Sequence, residues 1–287
     1  MTVEVALEGP LDVPRSLEVL RRWGDDLLDR WDGEVLRRTV PTASGPLAVA
    51  CRSVGSVAAP RLAVEAERTV PDVAAAAADT FLPWSEVWPA LRDADPALAR
   101  AEAAAPGVRS LRYPDPFRAL VRAVTAQQVN LTFAATLRRR LAEAYGVEHA
   151  VAGGVVRSLD PGRLAGATVA ELRALQLSTA KATALVGLGA AAGRGELDAG
   201  RFTGLSDDEV VAELTTHRGV GRWTAEWFLV RVLGRPVVVA GDLGVRKAVG
   251  AAYFEGRLPS EAEVREATAH WGPAAAVAQQ VLLEALT

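Results

Sequence analysis

The sequence predicts an α+β chain, with a small N-terminal antiparallel α+β unit followed by a mainly α-helical domain. Three observations predict it. Short apolar runs separated by turn residues crowd the first part of the chain. Helix start signals recur beyond about residue 87 with little strand pattern between them. Half of the 287 residues are hydrophobic, enough to build one large domain or two ordinary ones with proper cores.

The elements follow in order. Val3, Val5 and Leu7 alternate through residues 3–9, a half-buried strand. Leu17, Leu20 and Trp23 fall at helical spacing within 14–31, with a break at Gly24. Residues 34–40, 46–54 and 61–70 read as strands, and 71–84 as a helix. One antiparallel sheet with helices on one face accounts for residues 1–86. From 87 to 287 the chain reads as almost entirely helical. Asp115-Pro116 and Asp160-Pro161 each set a capping residue before proline at the first helical position. Thr168/Glu171, Ser206/Glu209 and Ser260/Glu263 have the spacing of capping boxes. Gly146, Gly234 and Gly272-Pro273 are stop signals. The stretch Pro236–Gly241 is strand-like in composition but has no partner nearby in sequence, so it reads as an extended connector.

Composition excludes several classes. A single cysteine, Cys51, rules out an intrachain disulfide framework, a cysteine-ligated iron–sulfur cluster and a cysteine zinc site. Three scattered histidines make no dedicated metal site. No apolar run approaches the roughly 20 residues that span a bilayer, and the N-terminus lacks a signal-peptide pattern; a cytoplasmic protein is expected. The net charge of -3 argues against nucleic acid at first sight. Most of the acidic excess lies in the first hundred residues, however, and the middle hundred are net basic.

The chemistry concentrates in 206–250. A helix, the turn Arg218-Gly219-Val220-Gly221 and a second helix follow one another. Two glycines two apart permit a tight turn and leave the amides uncovered. The unpaired N–H groups and positive end of the second helix can then hold a phosphate; a plain helix–helix connection is the alternative. Trp223 and Trp227, four apart, share one helix face, as core packing or as a stacking surface. Asp242 stands before a helix, either as its N-cap or as a functional carboxylate. Gln127-Gln128 reads as a polar helix end, and Arg138-Arg139-Arg140 as a solvated face.

The run LTTHRGVGRWTAEWFLV with VVVAGDLGVRKAV resembles the helix-hairpin-helix, Gly/Pro-rich loop and aspartate (HhH-GPD) of the base-excision DNA glycosylases. GRWTAEWF is similar to the AlkA-like, DNA-3-methyladenine glycosylase II branch. Residues 115–146 and 160–197 resemble that branch's preceding helices, and the N-terminal unit its small first domain. The resemblance implies a hairpin over 207–234 and a catalytic loop over 235–243. It implies that Asp242 is essential, stabilising the electron-poor sugar as the N-glycosidic bond breaks. It places Trp223, Trp227, Gln127 and Leu243 near a flipped-out base, where a cationic alkylated purine stacks on indole for about 0.5–2 kcal/mol. Gln128 takes the position of the wedge that fills the vacated stack. Arg218, Gly219, Val220, Gly221, Arg222, Thr224, Arg246 and Lys247 become the DNA contacts. The carbonyls of Thr215, His217 and Val220 become ligands of a monovalent cation, Na+ or K+; no other cofactor is implied. Trp223 stands where bifunctional relatives carry a lysine, so a monofunctional hydrolase without lyase activity is expected.

The implied partner is double-stranded DNA containing damaged bases, bound by a nucleoid-associated monomer. The sequence departs from the pattern at Arg218, where the family commonly has proline, and at Val19, Leu243 and Leu283, where it has aromatics. A less aromatic pocket is expected in consequence. Deaminated or oxidised bases as substrates, and a DNA-binding module without catalysis, are the alternative readings.

Overall fold

The computed structural model of the protein describes residues 2–69 and 73–286. Five strands, β1 (Thr2–Ala6), β2 (Asp29–Trp31), β3 (Leu36–Val40), β4 (Leu47–Ser53) and β5 (Arg61–Ala66), form one antiparallel sheet in the order β1-β5-β4-β3-β2. Cys51 pairs with both Leu36 and Val64, so apolar residues stack across three strands on one face. Helix α1 (Val13–Arg22) lies between β1 and β2 and is capped by Asp12, which accepts from the Arg15 amide. The expected helix over 14–31 ends at Arg22. Gly24 takes a left-handed φ of 107°, and the chain turns back into β2. The end of the expected 61–70 strand and the start of the expected 71–84 helix fall outside the described residues. Within the latter range the described helix is α2 (Val73–Ala78).

The remainder is helical: α3 (Trp88–Ala94), α4 (Pro96–Ala104), α5 (Pro116–Ala126) and α6 (Leu131–Tyr145) precede a pair of strands. Beyond the pair come α7 (Pro161–Ala165), α8 (Val169–Ala174), α9 (Thr179–Gly193), α10 (Asp207–Leu214) and α11 (Arg222–Arg231). The last three helices are α12 (Leu243–Tyr253), α13 (Glu261–Thr268) and α14 (Ala275–Glu284). All three expected capping boxes form, at the starts of α8, α10 and α13. Both Asp-Pro starts form as well, at α5 and α7. Helix α5 is buried on nearly every side, which its alanine, valine and leucine content permits. Pro236–Gly241 is an extended connector, not a strand.

The expectation of an almost entirely helical stretch from residue 87 misses one element. Strands β6 (Gly146–Val151) and β7 (Gly154–Leu159) pair antiparallel through a two-residue turn. Ala152 and Gly153 supply the two positive φ values, 48° and 69°, that such a turn needs. Val151 and Val156 of this hairpin close against the sheet, joining Val35, Ala48 and Ala50 in a small core of their own. Arg30 Nη1 donates to the Val155 carbonyl at 2.6 Å, tying the hairpin to β2.

Two larger cores lie beyond it. One runs without interruption from the sheet through α5, α6, α9, α10 and α11. The other joins Trp88 and Leu98 to α12, Trp271 and α14. A cavity opens where these two cores meet.

Candidate active site

The hairpin between α10 and α11 is built around Gly219. Its φ is +84°, and a Cβ there would stand 2.6 Å from the Ala184 Cβ on α9. Only glycine fits, on backbone and on packing grounds. Gly221 caps α11 without any side-chain hydrogen bond, and nothing lies within 4 Å of where its Cβ would be. The first amides of α11 therefore face open space. Val220 is buried and donates its N–H to the His217 carbonyl at 3.0 Å.

The turn after α5 braces this hairpin. Gln127 Nε2 donates to the Gly219 carbonyl at 2.9 Å and to Thr224 Oγ1 at 3.1 Å. Its neighbour Gln128 is exposed and held at a φ of 56°, a left-handed conformation uncommon outside glycine. Lys181 Nζ donates to the Thr125 carbonyl at 2.9 Å from α9, and burial lowers its pKa.

Asp242 is held from both sides. Oδ1 accepts from the Val245 amide at 3.0 Å, capping α12, and Oδ2 accepts from the Trp223 indole N–H at 3.0 Å. A helix cap and an oriented carboxylate thus coexist in one side chain. The connector ahead of it is fixed by Gln279, whose Oε1 accepts from the Val239 amide at 3.1 Å and whose Nε2 donates to the Val237 carbonyl at 2.7 Å. Gly244 keeps space for the carboxylate, since a Cβ there would approach Asp242 Oδ1 to 2.9 Å.

Asp242, Trp223 and Trp227 line one cavity of about 260 Å³. Val19 and Leu283 line it too, as the sequence places them. Trp23 and Tyr113, which sequence reasoning did not assign to the site, restore aromatic surface there. Tyr113 stacks on Trp227 with ring centroids 5.6 Å apart, and the Arg122 guanidinium lies 4.5 Å above the Tyr113 ring.

Arg122 belongs to a buried ion cluster. Its Nη2 donates to Asp26 at 2.8 Å and to Asp29 at 3.1 Å. Arg138 Nε donates to Asp26 at 2.7 Å. Arg38 and Arg118 approach Asp29 at 3.0 and 3.5 Å. Burial pushes the pKa of Asp26 up, but Arg122 and Arg138 outweigh it and hold the carboxyl below its ordinary value. Asp29 is lowered in the same way, burial being overcome by Arg118, Arg38 and Arg122. The Arg138–Arg140 run therefore does not form one solvated face. Arg138 turns into the core, Arg139 pairs with Glu143 outside, and Arg140 Nη1 donates to the Leu175 carbonyl.

The other expected site residues separate. Gln127 and Leu243 are not among the cavity-lining residues; Gln127 is engaged with the hairpin, and Leu243 is 54% exposed at the start of α12. Arg218 and Lys247 are exposed and make no ion pair among the described residues. Arg222 pairs with the buried Glu226, which Arg265 also reaches. Arg246 donates Nε to the Pro259 carbonyl at 2.8 Å. Thr224 is buried, with its hydroxyl taken by Gln127. Thr215, His217 and Val220 lie at and just beyond the C-terminal end of α10, where backbone carbonyls lack helical partners. The His217 carbonyl accepts from Val220, which leaves it one lone pair. Oxygen donors of this kind fit a monovalent cation. Among the described residues no His, Cys, Asp and Glu cluster could hold a metal.

Fold and site together define a helix-hairpin-helix protein with a fixed carboxylate in an aromatic cavity. The chain belongs to the HhH-GPD superfamily of base excision DNA repair proteins, whose model matches residues 121–274. It is 28% identical over 180 residues to the DNA-3-methyladenine glycosylase of Bacillus subtilis, covering 62% of this chain and 59% of that protein. It is 33% identical over 179 residues to DNA-3-methyladenine glycosylase 2 of Escherichia coli, covering 62% and 60%. The chain thus spans about three fifths of the length of these curated relatives. Among solved structures, the 3-methyladenine DNA-glycosylase from Archaeoglobus fulgidus superposes with a TM-score of 0.84 at 24% identity, over 99% of this chain and 97% of that one. This last likeness concerns the fold.

Proposed function

We propose that the protein is a monofunctional DNA glycosylase that hydrolyses the N-glycosidic bond of alkylated purines, of the 3-methyladenine type, in duplex DNA. The observation that carries the reading is the Asp242 carboxylate, fixed by Trp223 and the α12 amide on the wall of an aromatic cavity beside the hairpin. A flipped nucleotide brings its sugar to this carboxylate and its base between the aromatic rings. As the bond to the base weakens, positive charge develops on the sugar. A carboxylate already oriented stabilises that charge without reorganising, and it directs a water to the vacated carbon. Cationic alkylated purines gain further from the indoles of Trp223 and Trp227. The names of the bacterial relatives support the same substrate class.

The open amides of α11, with Arg218 and Lys247, hold backbone phosphates. Gln128, exposed on a strained turn beside the hairpin, fills the gap left in the stack. The carbonyls of Thr215, His217 and Val220 would hold a monovalent cation, which would supply positive charge beside the phosphate. Strand cleavage through a Schiff base needs an amine at the sugar. Of the two lysines, Lys181 is engaged with Thr125 and Lys247 faces outward on α12, and neither lines the cavity. Among the described residues no helix is long and apolar enough to cross a membrane. The protein acts as a nucleoid-associated, cytoplasmic monomer.

Chromatography of bases released from methylated DNA tests the reading. The wild type is expected to release methylpurines, and Asp242→Asn to lose that release by about a hundredfold or more. The variant should still bind abasic-site duplex, because asparagine caps a helix as well as aspartate. Base release undiminished in Asp242→Asn would leave Asp242 as a helix cap alone.

A further inference from the structure

Arg122, Arg138 and Asp26 line the cavity but have no part in breaking the bond. The side chains of Arg138 and Arg122 are 7% and 13% exposed. Arg138 uses Nε on Asp26, and Arg122 uses Nη2 on Asp26 and Asp29. Among the described residues, the other terminal nitrogens of both guanidinium groups make no hydrogen bond. Asp26 has little acceptor capacity left: Oδ2 takes both arginines, and Oδ1 takes the amides of Leu28 and Asp29. This part of the lining therefore offers donors and no free acceptor. A guanidinium stays protonated and cannot reverse that role. Arg38 and Arg118 stand behind it, so four guanidinium groups face two carboxylates and the cluster keeps a net positive charge. Buried donors without acceptors are costly.

We propose that Arg138 and Arg122 are specificity-determining residues, whose unused N–H groups donate to a carbonyl oxygen on the edge of the flipped base. Among the damaged purines it admits, the pocket then favours those with an exocyclic carbonyl at that edge, whereas 3-methyladenine, with an amino group there, is held by stacking alone. An amino group would set donor against donor and leave both unpaired. The inference rests on the reading of this cavity as the base pocket. Burial lowers the pKa of Arg138, as does Arg122, against the pull of Asp26. The charge on Arg138 is thus incompletely compensated, in keeping with a missing acceptor.

The test compares three bases. 7-Methylguanine and hypoxanthine carry a carbonyl where 3-methyladenine carries an amino group. The two methylpurines are released from methylated DNA, and hypoxanthine from a duplex containing one deoxyinosine. Arg138→Met is expected to lower the ratio of kcat/KM for each carbonyl base to kcat/KM for 3-methyladenine by about tenfold or more. Arg138→Lys, which keeps the charge with fewer directed donors, should fall between. Equal losses on all three bases, as a structural role gives, or no loss, overturn the inference. Should Arg138→Met fail to fold, inhibition of the wild type by free bases decides. Hypoxanthine is expected to inhibit at lower concentration than adenine, and parity or the reverse order overturns the inference. A wild type that releases 3-methyladenine with no dependence on Arg138 for any base removes this inference alone. A wild type that releases none of the three removes the glycosylase reading itself.

Discussion

Asp242 does two things with two oxygens: one closes the first turn of α12, and the other accepts the Trp223 indole. Trp223→Phe removes that donor and keeps the ring. We expect kcat for base release to fall by about tenfold, with affinity for abasic-site DNA unchanged in a binding titration; unchanged kcat would deny the indole an orienting role. Gly219 is constrained by both φ and the Ala184 contact. Gly219→Ala should cost about 1–3 kcal/mol in urea denaturation and weaken duplex binding; a stability equal to wild type would show that the turn can relax. At this scale the site was partly legible. Asp242, Trp223 and Trp227 stand in one local run whose resemblance to the helix-hairpin-helix motif carries meaning. Tyr113, Trp23, Arg122 and Arg138 do not. Their roles come from partners far away in the chain, and nothing in three consecutive arginines tells which one turns inward.

Helix starts were legible because a cap is a local interaction among residues at most three apart, and each capping box formed where its spacing pointed. The β6–β7 hairpin was not. Its turn is Ala152-Gly153, without the Asn-Gly or Asp-Gly signal, and Val151 and Val156 become intelligible only against Val35, Ala48 and Ala50. The junction of the sheet with α5 and α6 carries a pH signature. The carboxyls of Asp26 and Asp29 are held below their ordinary value in the folded protein. Their contribution is complete above the unfolded carboxylate pKa and is lost as pH falls through the lower folded values. The thermal midpoint should be nearly level from about pH 7 to 5 and fall below about pH 4. Arg122→Met should flatten that acid limb, and an unaltered limb would assign it to other carboxyls.

For the whole molecule, the net charge of -3 is a poor guide to the DNA-facing side. Of the basic residues expected at DNA, Arg222 shares the one Glu226 carboxylate with Arg265, while Arg218, Arg246 and Lys247 make no ion pair among the described residues. The dependence of log K on log salt should then have a slope of about −2 to −3; a slope of about −6 or steeper would mean many more phosphate neutralisations than these residues supply. The two-part architecture was readable from pattern alone, but the continuity of the core from sheet to helices was not, since no periodicity reports which faces meet. That continuity has a consequence for inheritance of selectivity. Asp26 comes from the segment between α1 and β2, yet it orients two arginines of the helical part. A chimera that took its opening segment from a relative would receive, along with a sheet, a new setting for the chemistry its pocket can read.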